Sequence, residues 1–154
     1  NKIALWMMKP SDRYMVGDFD GDGRDELLAI ADNGWAHLMR WDGSSWQWMW
    51  GNNGANKIAL WIMKPSDRYI VGDFEGTGRA QLAAFSDQGW AHAMYWDGAG
   101  WQYIWGNDGG ETIHLWFMNG SDRYTAGAFD GGKSLLLATA ANGWAHLMKF
   151  EPVP

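Results

Sequence analysis

"GDFDGDGRDELLAIA" (residues 17–31) places aspartates at every second position, Asp18, Asp20 and Asp22. Gly21 and Gly23 fall between and after them, Glu26 follows, and the run ends in a strand-like "ELLAIAD". Calcium takes six to eight hard oxygens, from carboxylates, backbone carbonyls and water. Alternate carboxylates on a tight turn converge on one point, and the glycines permit the turn because they tolerate positive φ. Asp18, Asp20, Asp22 and Glu26 are therefore the predicted ligands of a calcium ion (Ca2+), with the Arg24 carbonyl as a further oxygen. An EF-hand would need a helix after the loop; here a strand follows. The bland alternative is an acidic turn without metal, in which the four carboxylates repel one another.

The loop belongs to a repeat. "SDRY" recurs at 11–14, 66–69 and 121–124, and "GWAH" at 34–37, 89–92 and 143–146. The spacing is that of three copies, with one residue lost in the third, and sets unit boundaries at 1–55, 56–110 and 111–154 of one repeat domain. Each copy alternates short apolar runs with Gly, Asp, Asn and Pro clusters, the pattern of an all-β fold. In the first copy the predicted strands are "KIALWMMK", "RYMVGDF", "ELLAIAD", "GWAHLMRW" and "SWQWMWG". "DGSS" (42–45) turns the last two into a hairpin. The loop decays along the copies. The second keeps Asp73 and Glu75, with Thr77 and Gln81 in the other places, and is at best a weak site. The third has Ala128 first and binds nothing.

"VGDFDGDGRDELLAI" (16–30) resembles the FG-GAP or VCBS type of repeat, found in integrin-like β-propellers and in propeller lectins. The resemblance implies that the loop joins the first two strands of a propeller blade and holds calcium. It carries over well to Asp18, Asp20, Asp22 and Glu26, poorly to Asp73 and Glu75, and not to the third copy. "GWAH" and "WQWMWG" receive no role from it. Propellers have about four to eight blades, so three units close no ring alone. The third copy lacks "SWQWMWG" and the chain opens on "KIALWMM" without an initiator methionine. This predicts a processed or excised chain whose terminal strand is exchanged between copies. The reading is three propeller-type blades of about 55 residues, completed by strand exchange in a two-chain ring or an open filament, or forming a piece of a longer propeller; a β-trefoil is the alternative, and the calcium loop and the cut mid-unit argue against it.

Thirteen tryptophans supply candidate ligand surfaces. Strict strand alternation puts Trp46, Trp48 and Trp50 on one face, and Trp101, Tyr103 and Trp105 on the matching one. Aromatic rings stack on the apolar faces of sugars, and Gln47, Asn52, Gln102 and Asn107 stand close by in sequence. The six aromatics are read as carbohydrate-binding or as a packing or subunit interface. In "GWAH", Trp35, His37, Met39 and Trp41 share a face, as do Trp90, His92, Met94 and Trp96, and Trp144, His146, Met148 and Phe150. These histidines are read as structural. The "SDRY" triplets Asp12, Arg13 and Tyr14, Asp67, Arg68 and Tyr69, and Asp122, Arg123 and Tyr124 are read first as fasteners between units. They are also the second-choice polar ligand site. "NGS" at 119–121 fits a glycosylation acceptor, a pattern frequent by chance.

Net charge of −6 and a pI near 5.0 argue against a nucleic-acid partner. No run of about 18 apolar residues suggests a membrane-spanning helix. Absence of cysteine excludes disulfides and thiolate sites. No nucleophile elbow, phosphate loop or HExxH appears, and Asp42 and Asp97 lie in hairpin turns, so no enzyme activity is expected. The reading is an extracellular or cell-surface lectin-like module, probing carbohydrate on a cell surface or matrix and forming a homo-oligomer. The alternative is a structural subunit of an oligomer or filament.

Overall fold

The computed structural model describes residues 1–149. Phe150 and residues 151–154, including the end of the third unit, lie outside the described residues. The fold is all-β. Seventeen strands among the described residues form six small antiparallel sheets, none of them closed.

Each unit opens with a two-residue hairpin. In the first it pairs β1 (Lys2–Ile3) with β2 (Trp6–Met7), joining Lys2 to Met7 and Ile3 to Trp6. The sequence pattern predicts one strand over "KIALWMMK", where the structure has a hairpin. The difference is a turn through Ala4, whose φ is 49°, a conformation that alanine adopts at a cost and that no Gly, Asn or Asp announces. Ala59 and His114 take the same conformation in the later hairpins, β7 (Lys57–Ile58) with β8 (Trp61–Ile62), and β13 (Thr112–Ile113) with β14 (Trp116–Phe117).

The main sheet of the first unit runs in chain order, β3 (Arg13–Gly17), β4 (Glu26–Ile30), β5 (Ala36–Trp41) and β6 (Trp46–Gly51). The second repeats it with β9 (Arg68–Gly72), β10 (Gln81–Phe85), β11 (Ala91–Trp96) and β12 (Trp101–Gly106). The third holds β15 (Arg123–Gly127), β16 (Leu135–Thr139) and β17 (Ala145–Lys149). First strands are neighbours, with β9 between β3 and β15. Backbone bonds tie them, from Ala80 N to Asp18 O at 2.8 Å and from Ser134 N to Asp73 O at 2.8 Å.

Burial on both faces explains why the strands are almost continuously apolar. Leu28, Ile30 and Leu38 of the first sheet meet Leu82, Met94 and Trp96 of the second, with Ile58 and Trp61 of the intervening hairpin in the same cluster. On its other face the second sheet packs Ala83, Phe85 and Ala93 against Leu136, Ala138 and Met148. Each hairpin thus wedges beside the sheet that follows it. A bulge between Leu38 and Met39 pairs Leu38 with Trp50 and Met39 with Trp48, and a matching bulge separates Ala93 from Met94. Strict alternation therefore fails in β6 and β12. An extra residue in one strand moves the next side chain to the other face, so Trp48 and Trp50 lie on opposite faces.

Candidate functional site

Two kinds of site stand out, the acidic loop between β3 and β4 and a cleft that occurs twice.

Ligand atoms of Asp18, Asp20, Asp22 and Glu26 lie within 4.8 Å of one another. Local bonds build the loop. Asp18 accepts from Gly21 N (2.8 Å) and Gly23 N (2.9 Å), and Asp20 from Asp22 N (3.0 Å). Gly21 and Gly23 have φ of 79° and 87°, which the turn requires. Glu26, 2% exposed, receives Phe19 N (2.8 Å) and Asp20 N (3.2 Å), both on Oε2. Burial, with the Asp20 and Asp18 charges adding to it, pushes the Glu26 carboxyl up to about 7, although its two backbone bonds pull the other way. The exposed Asp22 carboxyl is held below its ordinary value by Arg24, whose guanidinium reaches Asp22 Oδ2 at 2.8 Å.

The second loop shows what Glu26 lacks. Gln81 occupies the same register and accepts from Phe74 N (2.6 Å) and Glu75 N (3.3 Å). Its amide nitrogen donates to Arg79 O (3.0 Å) and Thr77 Oγ1 (3.3 Å). Asp73 caps the turn through Thr77 N (2.9 Å) and Gly78 N (2.8 Å). That loop closes on itself with neutral groups. In the first loop Glu26 stands in the register of Gln81 with a second carboxylate oxygen in place of the amide nitrogen, and that oxygen cannot donate. A proton or a cation is the natural complement, so the donor set fits a hard cation. In the third loop Ala128 and Leu135 replace the first and last ligands, and Phe129, counterpart of the buried Phe19 and Phe74, is exposed.

The cleft lies between a unit's hairpin and its "GWAH" strand. In the first unit it is lined by Leu5, Trp6, Lys9, Asp12, Trp35 and His37, with a volume of about 230 Å³. In the second, Leu60, Trp61, Lys64, Asp67, Trp90 and His92 line a volume of about 310 Å³. The lining agrees position for position across the repeat. Trp35 and Trp90 are both 43% exposed, a half-open ring in each cleft. The histidine sits among aromatic rings. Trp6 lies 5.0 Å from His37 edge-on, and Trp61 lies 5.0 Å from His92. Burial lowers the pKa of both imidazoles, so they are neutral near pH 7.

At the floor, Asp12 Oδ2 accepts from Trp6 Nε1 (2.9 Å) and Lys9 N (2.8 Å), and Asp67 Oδ2 from Trp61 Nε1 (2.8 Å) and Lys64 N (2.8 Å). Their other oxygens, Asp12 Oδ1 and Asp67 Oδ1, are buried without a hydrogen-bond partner among the described residues, as are His37 Nδ1 and His92 Nδ1. Burial raises the Asp67 pKa. Asp122 repeats the bonds in the third unit, from Trp116 Nε1 (2.9 Å) and Asn119 N (2.8 Å).

Residues singled out from the sequence divide. Trp101 and Trp105 are buried in the packing between sheets, while Trp46 and Trp50 are half-buried against other tryptophans. Trp48 and Tyr103 are exposed and lie beside the cleft histidines, with Tyr103 5.3 Å from His92. Arg13 and Arg68 reach into the following unit, where they donate to Asp67 O and Asp122 O and lie over Tyr69 and Tyr124. Arg123 is exposed. Asn52 and Asn107 bind backbone at Ala36 N and Ala91 N (3.0 Å each), and Gln47 and Gln102 bind the turn aspartates Asp42 and Asp97 (2.9 Å each). Those turn carboxyls are held below their ordinary values by backbone donors. Sequence reasoning gave Trp35, Trp90, His37 and His92 only a structural role. Their exact recurrence was the available signal, but the hairpin wall opposite them was hidden by the unannounced turn at Ala4.

No family model and no curated protein matches the chain. Among the described residues no helix is long and apolar enough to cross a membrane.

Proposed function

We propose that this chain is an extracellular carbohydrate-binding module of the propeller-lectin kind, with a calcium ion stiffening the first loop. The observation that carries the reading is the duplicated cleft. A half-open tryptophan ring, a neutral histidine and an aspartate with one buried, unpaired oxygen recur at matching positions in two units. A sugar offers an apolar ring face for the indole and hydroxyls for the polar side chains that line the clefts, Lys9 and Asn33 in the first and Lys64 and Gln88 in the second. The volumes, at or below the usual range of roughly 300–1,000 Å³ for ligand pockets, suit one monosaccharide-sized group per cleft. Two weak sites on one chain gain strength on a surface that carries many copies of the glycan. Up-and-down four-stranded sheets stacked through their first strands support a propeller-type arrangement over the trefoil. Calcium at Asp18, Asp20, Asp22 and Glu26 would fix the turn that follows β3 and leave the clefts to bind ligand. It has no catalytic part in this reading.

The experiment is a glycan-array screen followed by calorimetric titration of any hit. Binding should saturate at more than one site per chain and vanish in the Trp35→Ala, Trp90→Ala double variant. Binding that persists in that variant would place the site elsewhere.

A further inference from the structure

The contact between successive units is built twice in the same way. Arg13 of the first unit donates to Asp67 O and lies over the Tyr69 ring at 4.9 Å, and Arg68 of the second donates to Asp122 O and lies over Tyr124 at 5.2 Å. In both junctions the amide at the start of the later unit's second strand donates to a carbonyl at the end of the earlier unit's first strand. Side chains buried there follow the same register. Phe19 and Phe74 are 0% and 2% exposed on the leading faces, and Met63 and Met118 are 3% and 5% exposed on the trailing faces.

Among the described residues the two outermost faces carry most of the same parts without a neighbour, although the third sheet has no counterpart of β6, which brings Met49 and Trp50 to the first junction. On the leading face of the third sheet Arg123 is exposed, Phe129 is 55% exposed, and Leu147, counterpart of the buried Leu38, is exposed. The trailing face of the first sheet exposes Met8 at 41%, together with Tyr14 and Trp41, whose counterparts Tyr124 and Trp96 are buried. One face holds the unused arginine, and the other holds the unused tyrosine ring and Asp12 carbonyl. Each exposed group thus has its natural partner on the opposite end of an identical molecule.

We propose that a second copy of this chain docks head-to-tail, the leading face of its third sheet against the trailing face of the first, repeating the internal junction with Arg123 over Tyr14. The contact is heterologous, so it closes into a ring or propagates as a filament. The junction borders the clefts, since Arg13 also reaches the carbonyls of Lys64 and Asp67, but each cleft is lined by residues of a single unit, and assembly mass and glycan binding are read in separate assays.

Light scattering after size exclusion tests it on the 154-residue chain. The parent should run as a dimer or larger, and Arg123→Glu alone and Tyr14→Ala alone should each shift it to smaller species with unchanged circular dichroism. The two variants mixed should recover a 1:1 pair, because each retains the intact face that the other lacks. A parent that is monomeric at every concentration would leave these faces to another partner and overturn the proposal. So would an assembly that both variants keep, or variants whose mixture forms no pair.

Discussion

Replacing Glu26 with glutamine copies into the first loop what Gln81 does in the second. In the metal-free protein the Glu26 carboxyl has its pKa raised from 4.5 to about 7 by burial and by the neighbouring Asp20 and Asp18 charges. The sign follows from proton binding. Between pH 4.5 and 7 the folded chain holds a proton that the unfolded chain has released, so stability falls as pH rises through that window. At about 1.4 kcal/mol per pH unit, the loss is about 3 kcal/mol by pH 8. Glu26→Gln removes it, since the amide needs no proton and can donate to the Arg24 carbonyl as Gln81 donates to Arg79. In chelator at pH 8 the variant should melt roughly 6–12 °C above the parent, whereas at pH 4 the two should coincide. Calcium should reverse the order at pH 8. A ligand at a thousand times its Kd adds about 4.1 kcal/mol to a chain that binds it, more than the gap of about 3 kcal/mol, and the variant has lost its most buried carboxylate. Scanning calorimetry between pH 4 and 8, in EDTA and in calcium, reads all four arms. A parent whose melting point in EDTA does not fall between pH 5 and 8, or a variant that gains nothing there, would refute the reasoning.

Three further outcomes follow from local geometry. Arg24→Ala frees Asp22 from a competing guanidinium at 2.8 Å, and calorimetric titration should find calcium bound roughly two- to five-fold more tightly, the scale of an exposed ion pair. Asp67→Ala removes the acceptor for Trp61 Nε1 and Lys64 N, and denaturant melts should show a loss of about 1–3 kcal/mol. Gly34→Ala, at φ 89° with a Cβ 2.9 Å from Asn56 Cα, should cost more than Gly143→Ala, at φ 93° with nothing near. The second should show only the strain of the left-handed backbone, about 1–2 kcal/mol.

Much of this architecture can be read from the sequence, because it is written in local periodicity. Strand-forming runs separated by turn residues specify the all-β fold, and alternate aspartates with glycines specify a loop whose carboxylates converge. What the sequence hides is set by single backbone events. The left-handed turn at Ala4, Ala59 and His114 carries no turn residue, so a hairpin reads as a strand. The bulges beside Leu38 and Ala93 break an alternation that the tryptophan spacing mimics well, so Trp101 and Trp105 read as a ligand face but are packed between sheets. The clefts were illegible for the same reason. Their walls, Trp6 with Trp35 and Trp61 with Trp90, are about thirty residues apart and meet only because the hairpin folds back on its own sheet. The division of labour along the repeat is also physical. Phe19, Phe74 and Phe129 are one residue type in one register, but Phe19 and Phe74 are buried with their amides held by Glu26 and Gln81, whereas Phe129, with Leu135 at that position and no following sheet among the described residues, is exposed.

The central claim, that the duplicated clefts hold carbohydrate, is tested most directly by titrating a glycan-array hit into the parent and into the Trp35→Ala, Trp90→Ala variant at matched fold. The account predicts saturable binding at more than one site in the parent and none in the variant, with both melting alike in calcium. A parent that binds no glycan, or a variant that binds as the parent does, would contradict it.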